Sequence, residues 1–559
     1  TYNTKPEGEN GNIQTIIPDM KEKYLSNFQV IKGALYIKTS NDQQIQAAQA
    51  VGVIPNPYEI TDDGELVSSD GNLKLVDENG YLELPSIVTK IGQGAFSGVE
   101  GLKKIVIPES VTVIEAKAFS NNTTLEEVEI KGNLKEIGSD AFLNCKNLKK
   151  INLPDSIETL GSQAFRLTAL TSVTIPSSLK IVPTNAFFET ELNEVILQEG
   201  LERIDFGAFS KVGNLKEIKF PSTLTTVDSL AFKGTVSLVN INLENNKNFV
   251  FKNGMLLNKE ENDIVFISDG VLKNITTLEI PEKVLKFKSD ISTYKNIKNL
   301  ILPTTLLDLD SMYMTSSIEN VTVNDGNNFL VSENGILYKK EDMKLLLCYS
   351  KEKEIVIQEG IDTIGRYSFI AATNAEKVTL AHSVTTLEDV IFGYGKKPNE
   401  FIIEENVNSI GALCFLEMTG NCTITINKDN ENYMVEDNVL YKKENGKKET
   451  LVCFLYSLGE SVNINNEITK IGTYAFYGHK KLTEVTIPKN IVEIENYAFS
   501  GCKSLKKIEI PSSVSKIGYG CFGDVTFSLE EILIHKPKDS IAGAPWGALK
   551  GLKVVKWEE

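Results

Sequence analysis

Apolar residues return along this chain in a fixed rhythm. The dipeptide Ala-Phe occurs at Ala95-Phe96, Ala118-Phe119, Ala141-Phe142, Ala164-Phe165, Ala186-Phe187, Ala208-Phe209 and Ala231-Phe232, and the steps between successive Phe residues are 23, 23, 23, 22, 22 and 23. The series resumes at Phe369, Phe392 and Phe415, then at Phe476, Phe499 and Phe522, again in steps of 23. Between Phe232 and Phe369 two degenerate units are placed by Ile280-Pro281 and Leu302-Pro303, with Ile291 and Met314 near the Phe slot. About fifteen units of 22–23 residues result. A period of this length marks a stack of repeats rather than a string of globular domains.

The segment from Leu102 to Phe119 shows the elements of one unit. Leu102, Ile105 and Ile107 form an L-x-x-I-x-I pattern that reads as a short strand. Pro108 follows, and Pro154, Pro176, Pro221, Pro303, Pro488 and Pro511 hold the same place in other copies. A residue with no N–H to give a ladder belongs at a strand end. A second alternation, Val111 and Ile114, comes next, followed in many copies by Gly92, Gly138, Gly161, Gly472 or Gly518, read as permitting a sharp turn. Ala141, Phe142, Cys145 and Leu148 then lie on one face of about two helical turns. The expected unit is strand, bend, short helix. Two or three apolar side chains per element cannot offset the ordering of 23 residues. Stacking copies removes that deficit, so residues 86–559 are expected to form one leucine-rich-repeat solenoid, predominantly β, with a parallel strand ladder.

Units such as LKKIVIPESVTVIEAKAFSNNTTLEEVEI and LTEVTIPKNIVEIENYAFSGCKSLKKIEIPSSVSKIGYGCF resemble the BspA-like class of leucine-rich repeats of bacterial surface proteins. The resemblance covers over four fifths of the chain. It implies an extracellular or cell-surface protein, often from a host-associated bacterium, whose solenoid serves adhesion. It carries no invariant catalytic set to transfer.

A second motif interrupts the Phe series, in FVFKNGMLLNK from Phe249, FLVSENGILYKK from Phe329 and YMVEDNVLYKK from Tyr433. Asn253-Gly254, Asn334-Gly335 and Asp437-Asn438 stand between alternating apolar runs, where they supply the positive φ of tight hairpins. Hairpin inserts are therefore expected near 245–272, 325–352 and 428–458. A fourth hairpin, NFQVIKGALYIK from Asn27, and an Ala- and Gln-rich stretch from Ile45 to Val51 that reads as a helix assign residues 1–85 to an N-terminal cap region. At the other end, Trp546 falls 24 residues after Phe522, and a C-terminal cap is expected near 540–559, with Trp557 shielding the last strand.

Composition narrows the function class. The 559 residues carry a net charge of −17 with pI near 5.0, which argues against attraction to nucleic acid or anionic lipid. No stretch approaches the roughly 18 apolar residues of a membrane span. The first residue is Thr1, so a trimmed or processed chain is expected, with signal and anchor outside this sequence. Seven Cys make neither a disulfide framework nor a zinc motif. Cys414 and Cys521 replace the Ala of Ala-Phe, Cys145 and Cys502 stand three after Phe, and Cys348 and Cys453 end apolar runs, so six are expected in the core. Cys422 has no slot.

The familiar motifs of enzyme chemistry are missing from the chain. His382, His479 and His535 are dispersed, and no HExxH, phosphate-binding loop or GxSxG elbow is present. No catalytic residue, metal or cofactor is expected. The acidic Asp429, Glu431, Glu436 and Asp437 read as a solvated hairpin tip rather than a calcium loop.

Binding is left to the outer face of the strands, whose third and fifth positions point away from the core. The candidate partner-binding residues are Lys104, Glu127, Glu129, Lys150, Asn152, Thr174, Glu217, Lys219, Asn240, Asn242, Glu484, Thr486, Lys507 and Glu509, with Val106 and Ile196 as apolar members of the same face. The expected function is a non-catalytic adhesion or binding protein, a monomer, whose partner is a host or bacterial surface protein or a glycan, without nucleic acid and without membrane insertion by this chain. Two alternatives stand beside it. A carbohydrate-binding module would use Tyr338, Tyr433, Tyr441 and Tyr456 as aromatic platforms, and a spacer would only display another domain.

Overall fold

The computed structural model describes residues 28–31, 34–38, 54–56, 58–61, 64–69, 76, 78–416, 422–455, 458–524, 529–548 and 551–558. The stretch Ile45–Val51 and Tyr456 lie outside them. The chain divides into two compact units, Thr1–Asn274 and Ile275–Glu559. Each is a β-solenoid built from the 22–23-residue repeat.

In the first unit the strands Tyr81–Glu83, Lys104–Ile107, Glu127–Ile130 and Lys150–Ile151 pair in parallel, with Tyr81, Lys104, Glu127 and Lys150 in one register. A second ladder runs through Glu65–Ser69, Lys90–Ile91, Val113–Ile114, Glu136–Ile137 and Thr159–Leu160. Its partners are again one repeat apart. The second unit repeats the scheme. One ladder joins Ser461–Asn463, Glu484–Thr486, Lys507–Ile510, Glu531–Ile534 and Val555–Trp557, and another joins Lys470–Ile471, Glu493–Ile494 and Lys516–Ile517. Trp557 thus ends a strand paired to the preceding coil, with Ile534 opposite.

The third leg differs from the expected short helix. Among the described residues, helix is confined to Asp269–Leu272 and two 3-10 turns, and the Ala-Phe leg is a run of tight turns. Phe119 N donates to Ala141 O of the next coil at 2.7 Å, and Phe142 N to Ala164 O at 2.8 Å. Between them, amides close local turns, as Leu143 N does to Asp140 O at 3.1 Å. The reversals fall on left-handed residues two before and two after Phe: Lys117, Asn121, Asp140 and Asn144, with φ of 58°, 61°, 58° and 63°. The physical reason is width. A helix is about 10 Å across, whereas successive Phe rings in this leg stand 5.0 to 5.5 Å apart, close to the strand spacing.

The repeated glycines also act differently from the expectation. Gly138 and Gly161 do not adopt positive φ. A Cβ on Gly138 would stand 2.5 Å from Ala116 N, and one on Gly161 2.2 Å from Ser139 N. These positions are glycine because the backbones of adjacent coils touch there.

Leu, Ile and Phe columns fill the interior. Phe96, Phe119, Phe142, Phe165, Phe187 and Phe209 are fully buried, and in the second unit so are Ile291 and Met314 in the degenerate slots. The inserts are hairpins as expected, with Asn253-Gly254 at φ 49° and 76° and Asn334-Gly335 at 49° and 77°. Each continues into a third strand, Ile264–Ile267, Lys344–Cys348 or Lys447–Phe454. In the second unit this strand rejoins the ladder, pairing Lys344 with Thr363 and Thr450 with Lys470. A buried Asn precedes the first strand of each insert. Asn327 Nδ2 donates to Pro303 O at 2.8 Å and Leu306 O at 3.1 Å, while its Oδ1 accepts Phe329 N and Leu330 N, both at 2.8 Å. Asn246 and Asn430 are buried in the same way, and each bonds two carbonyls of the preceding coil.

Candidate interaction surfaces

Alternation along each strand turns the candidate residues outward. Lys104, Glu127 and Glu129 are half-buried, and Lys150, Asn152, Thr174, Glu217, Lys219, Asn240, Asn242, Glu484, Thr486, Lys507 and Glu509 are exposed. Val106 does not follow. It is 2% exposed although it occupies an outward position, and its register partners are Glu83 and Glu129. Long side chains cover a short apolar neighbour with their stems. Ile196 is 47% exposed, as expected.

Parallel pairing one repeat apart brings unlike charges together. Lys104 Nζ lies 3.2 Å from Glu127 and 2.9 Å from Glu129, Lys150 lies 3.1 Å from Glu127, and Lys131 lies 2.5 Å from Glu129. The hydrogen bonds from Lys131 and Lys104 pull the Glu129 carboxyl down to about 2. Farther along the first unit, Asn240 Nδ2 donates to Glu217 at 3.4 Å and Lys219 pairs with Glu244 at 3.0 Å. In the second unit Lys507 stands 3.0 Å from both Glu509 and Glu531. The structure therefore gathers most of the candidates into local networks, some in each unit. Their charges are spent largely on each other, and exposed pairs of this kind contribute little to stability.

The hairpin tyrosines point inward. Tyr338, Tyr433 and Tyr441 are 8%, 4% and 4% exposed, so they offer no platform to a sugar. Tyr433 Oη accepts the Ile410 amide at 3.1 Å. In the acidic tip, Glu436 pairs with Lys448, and Asp437 and Asn438 form the left-handed turn.

Aromatic side chains cluster at the surface instead on the turn leg of the second unit. Tyr474 and Tyr497 occupy the slot two before Phe in consecutive coils, and their rings stack with centroids 5.0 Å apart and planes 6° from parallel. Tyr477 meets Tyr474 edge-on at 5.3 Å, and Tyr519 meets Tyr497 edge-on at 5.7 Å. Gly520 makes room for the Tyr497 ring, since a Cβ there would lie 2.4 Å from its Cε1. Tyr519 is 76% exposed and Tyr477 36%. The strand-face reading passes over this cluster, although the 23-residue step between Tyr474 and Tyr497 is the signal that places them side by side.

A cleft of about 350 Å³ opens in the second unit where the 325–352 insert interrupts the ladder, with Lys286, Asp308, Met312, Lys344, Arg366 and Glu388 in its lining. Lys344 and Glu388 pair across it at 2.8 Å. Of the six cysteines expected in the core, five are buried there and Cys453 is only partly covered. Cys145, Cys348, Cys414, Cys502 and Cys521 are buried, and Cys422 and Cys453 are partly so. Cys145 Sγ lies 3.1 Å from Phe119 O and Cys502 Sγ 3.1 Å from Phe476 O, and burial pushes both thiols up to about 12. Thr235 fills the same slot, donating to Phe209 O at 2.7 Å.

The family described as BspA type leucine rich repeat region matches residues 78–191, 180–271, 346–445 and 451–544, together more than half of the chain. Among curated proteins none matches. Among solved structures, a leucine-rich repeat protein from Bacteroides ovatus ATCC 8483 is 18% identical, with 90% of this chain and 98% of that chain covered and a TM-score of 0.38. A leucine rich cell surface protein from Faecalibacterium prausnitzii A2-165 is also 18% identical, covering 86% and 94%, at a TM-score of 0.29. The pneumococcal vaccine antigen PcpA is 17% identical, covering 89% and 92%, at 0.30. On the family match and its own repeat geometry, the chain belongs to the BspA type leucine-rich-repeat family.

Proposed function

We propose that the chain is a non-catalytic, surface-displayed or secreted binding protein, and that it contacts a protein partner through the tyrosines of the turn leg. The observation that carries this reading is the cluster of Tyr474, Tyr477, Tyr497 and Tyr519. Tyrosine supplies large contact area at low conformational cost and keeps a hydroxyl for a hydrogen bond, which is why it is enriched at interfaces. The strand face offers less, because most of its lysines and glutamates are already paired. Membership of the BspA type family supports the cell-surface or secreted setting. No helix among the described residues is long and apolar enough to cross a membrane.

The test is a screen of the purified chain against arrays of host matrix proteins and of glycans, at low and high salt. A saturable protein hit that is lost in a Tyr477→Ala/Tyr519→Ala double variant and kept in Lys104→Ala/Lys150→Ala supports the reading. The reverse pattern, with strong salt sensitivity, returns the function to the strand face. A glycan hit alone, or no hit on either array, overturns it.

A further inference from the structure

Among the described residues, one group of three metal-ligating side chains converges: His382, Glu404 and Glu405, whose ligand atoms all lie within 4.8 Å of one another. The repeat makes the group. His382 and Glu405 are 23 positions apart, so they occupy equivalent places in the corner turns of adjacent coils, and Glu404 precedes Glu405. His382 Nδ1 lies 3.0 and 3.1 Å from the two carboxylate oxygens of Glu405.

The supporting contacts hold the three side chains in place. Asn427, in the next coil, donates through one amide nitrogen to Glu404 Oε2 at 2.6 Å and to Glu405 Oε2 at 3.0 Å, drawing two like charges together. On the other side, Glu359 accepts the backbone amides of His382 at 3.0 Å and Ser383 at 3.1 Å, and Asn406 Nδ2 donates to His382 O at 2.8 Å. The main chain of His382 is therefore fixed by the coils before and after it. A single imidazolium would neutralise one carboxylate and leave the other uncompensated, whereas a divalent ion neutralises both.

We propose that His382, Glu404 and Glu405 bind a divalent transition-metal ion, with Zn²⁺ the expected occupant. One imidazole nitrogen with two carboxylates is a zinc ligand type that leaves an open position for water or a partner's side chain. Calcium, which takes six to eight oxygens, is disfavoured by the nitrogen. The amide of Asn427 acts as the outer-shell partner that orients both carboxylates. Bound metal would tie two coils together at the surface.

The test is calorimetric titration of the full chain with zinc chloride in chelator-free buffer, together with the visible spectrum of added Co²⁺. One ion per chain is expected, insensitive to excess Ca²⁺. His382→Ala and Glu404→Gln should each weaken it at least about tenfold, Asn427→Ala by about 10- to 100-fold, and His535→Ala not at all. Metal-free melting curves matching the parent chain show that each variant is folded. Absence of zinc binding, or a zinc isotherm unchanged in both His382→Ala and Glu404→Gln, overturns the proposal.

Discussion

The ring of Phe119 lies 5.0 Å from that of Phe142, with the two planes 3° from parallel. One repeat later the relationship recurs between Phe142 and Phe165 at 5.3 Å and 6°. Each ring is walled by its predecessor and successor, so removing one leaves a cavity that neither neighbour can fill without leaving its own coil. Phe142→Ala should destabilise the first unit by about 3–5 kcal/mol, and Phe142→Leu by less. Urea melts followed by circular dichroism check both. A midpoint for Phe142→Ala equal to that of the parent chain would contradict the stacked-column core.

Asn327 makes four hydrogen bonds with one buried side chain, closing the corner of the preceding coil and starting the insert. Asn327→Leu should cost about 1–3 kcal/mol, because buried carbonyls and amides lose their partners. Asn327→Asp should be at least as damaging, since a carboxylate cannot donate to Pro303 O and Leu306 O. Paired denaturant titrations of the two variants decide the ranking, and an unperturbed Asp variant would show that the amide donors do not matter.

His479 accepts the Leu458 amide through Nδ1 at 3.3 Å and packs edge-on against Phe454 at 6.0 Å. Burial lowers its pKa from 6.5 to about 4. The folded chain therefore binds fewer protons than the unfolded chain between those values. The stabilising contribution of neutral His479 is complete above about 6.5 and is lost progressively as pH falls toward 4, up to about 3 kcal/mol. His479→Asn keeps an acceptor without the titration. The difference in stability between parent and variant should change across that window and be flat above it, as read from urea titrations at a series of pH values.

Burial pushes the Cys145, Cys348, Cys422, Cys453 and Cys502 thiols up to about 12, and Cys414 and Cys521 are raised as well. Thiolate is the reactive form, so the native chain at pH 8 should resist alkylation at the five buried cysteines and react slowly at partly exposed Cys422 and Cys453, whereas denaturant should release all seven. Peptide mapping after brief labelling identifies the modified positions. Rapid native labelling of Cys145 would be incompatible with its place in the core.

Much of this protein is written in one period. The columns of Phe, Leu and Ile, the slots of Cys145 and Cys502, the degenerate units at Ile291 and Met314 and the hairpin turns at Asn253-Gly254 and Asn334-Gly335 all follow from spacing, because burial and positive φ each demand particular residue types. Three things depended on the tertiary structure. The third leg is a set of turns and not a helix, because coils stacked about 5 Å apart leave no room for helices, a constraint between copies and invisible within one. Gly138 and Gly161 answer to the backbone of the neighbouring coil rather than to their own φ, for the same reason. Outward position also differed from availability: Val106 is covered, the strand-face charges pair one repeat away, and the side chains that come together at the surface, Tyr474 with Tyr497 and His382 with Glu405, are separated by 23 residues in sequence. The sequence alone determines which residues share a slot, because the period is covalent. Which neighbours meet, and on which face, is decided only when the coils stack.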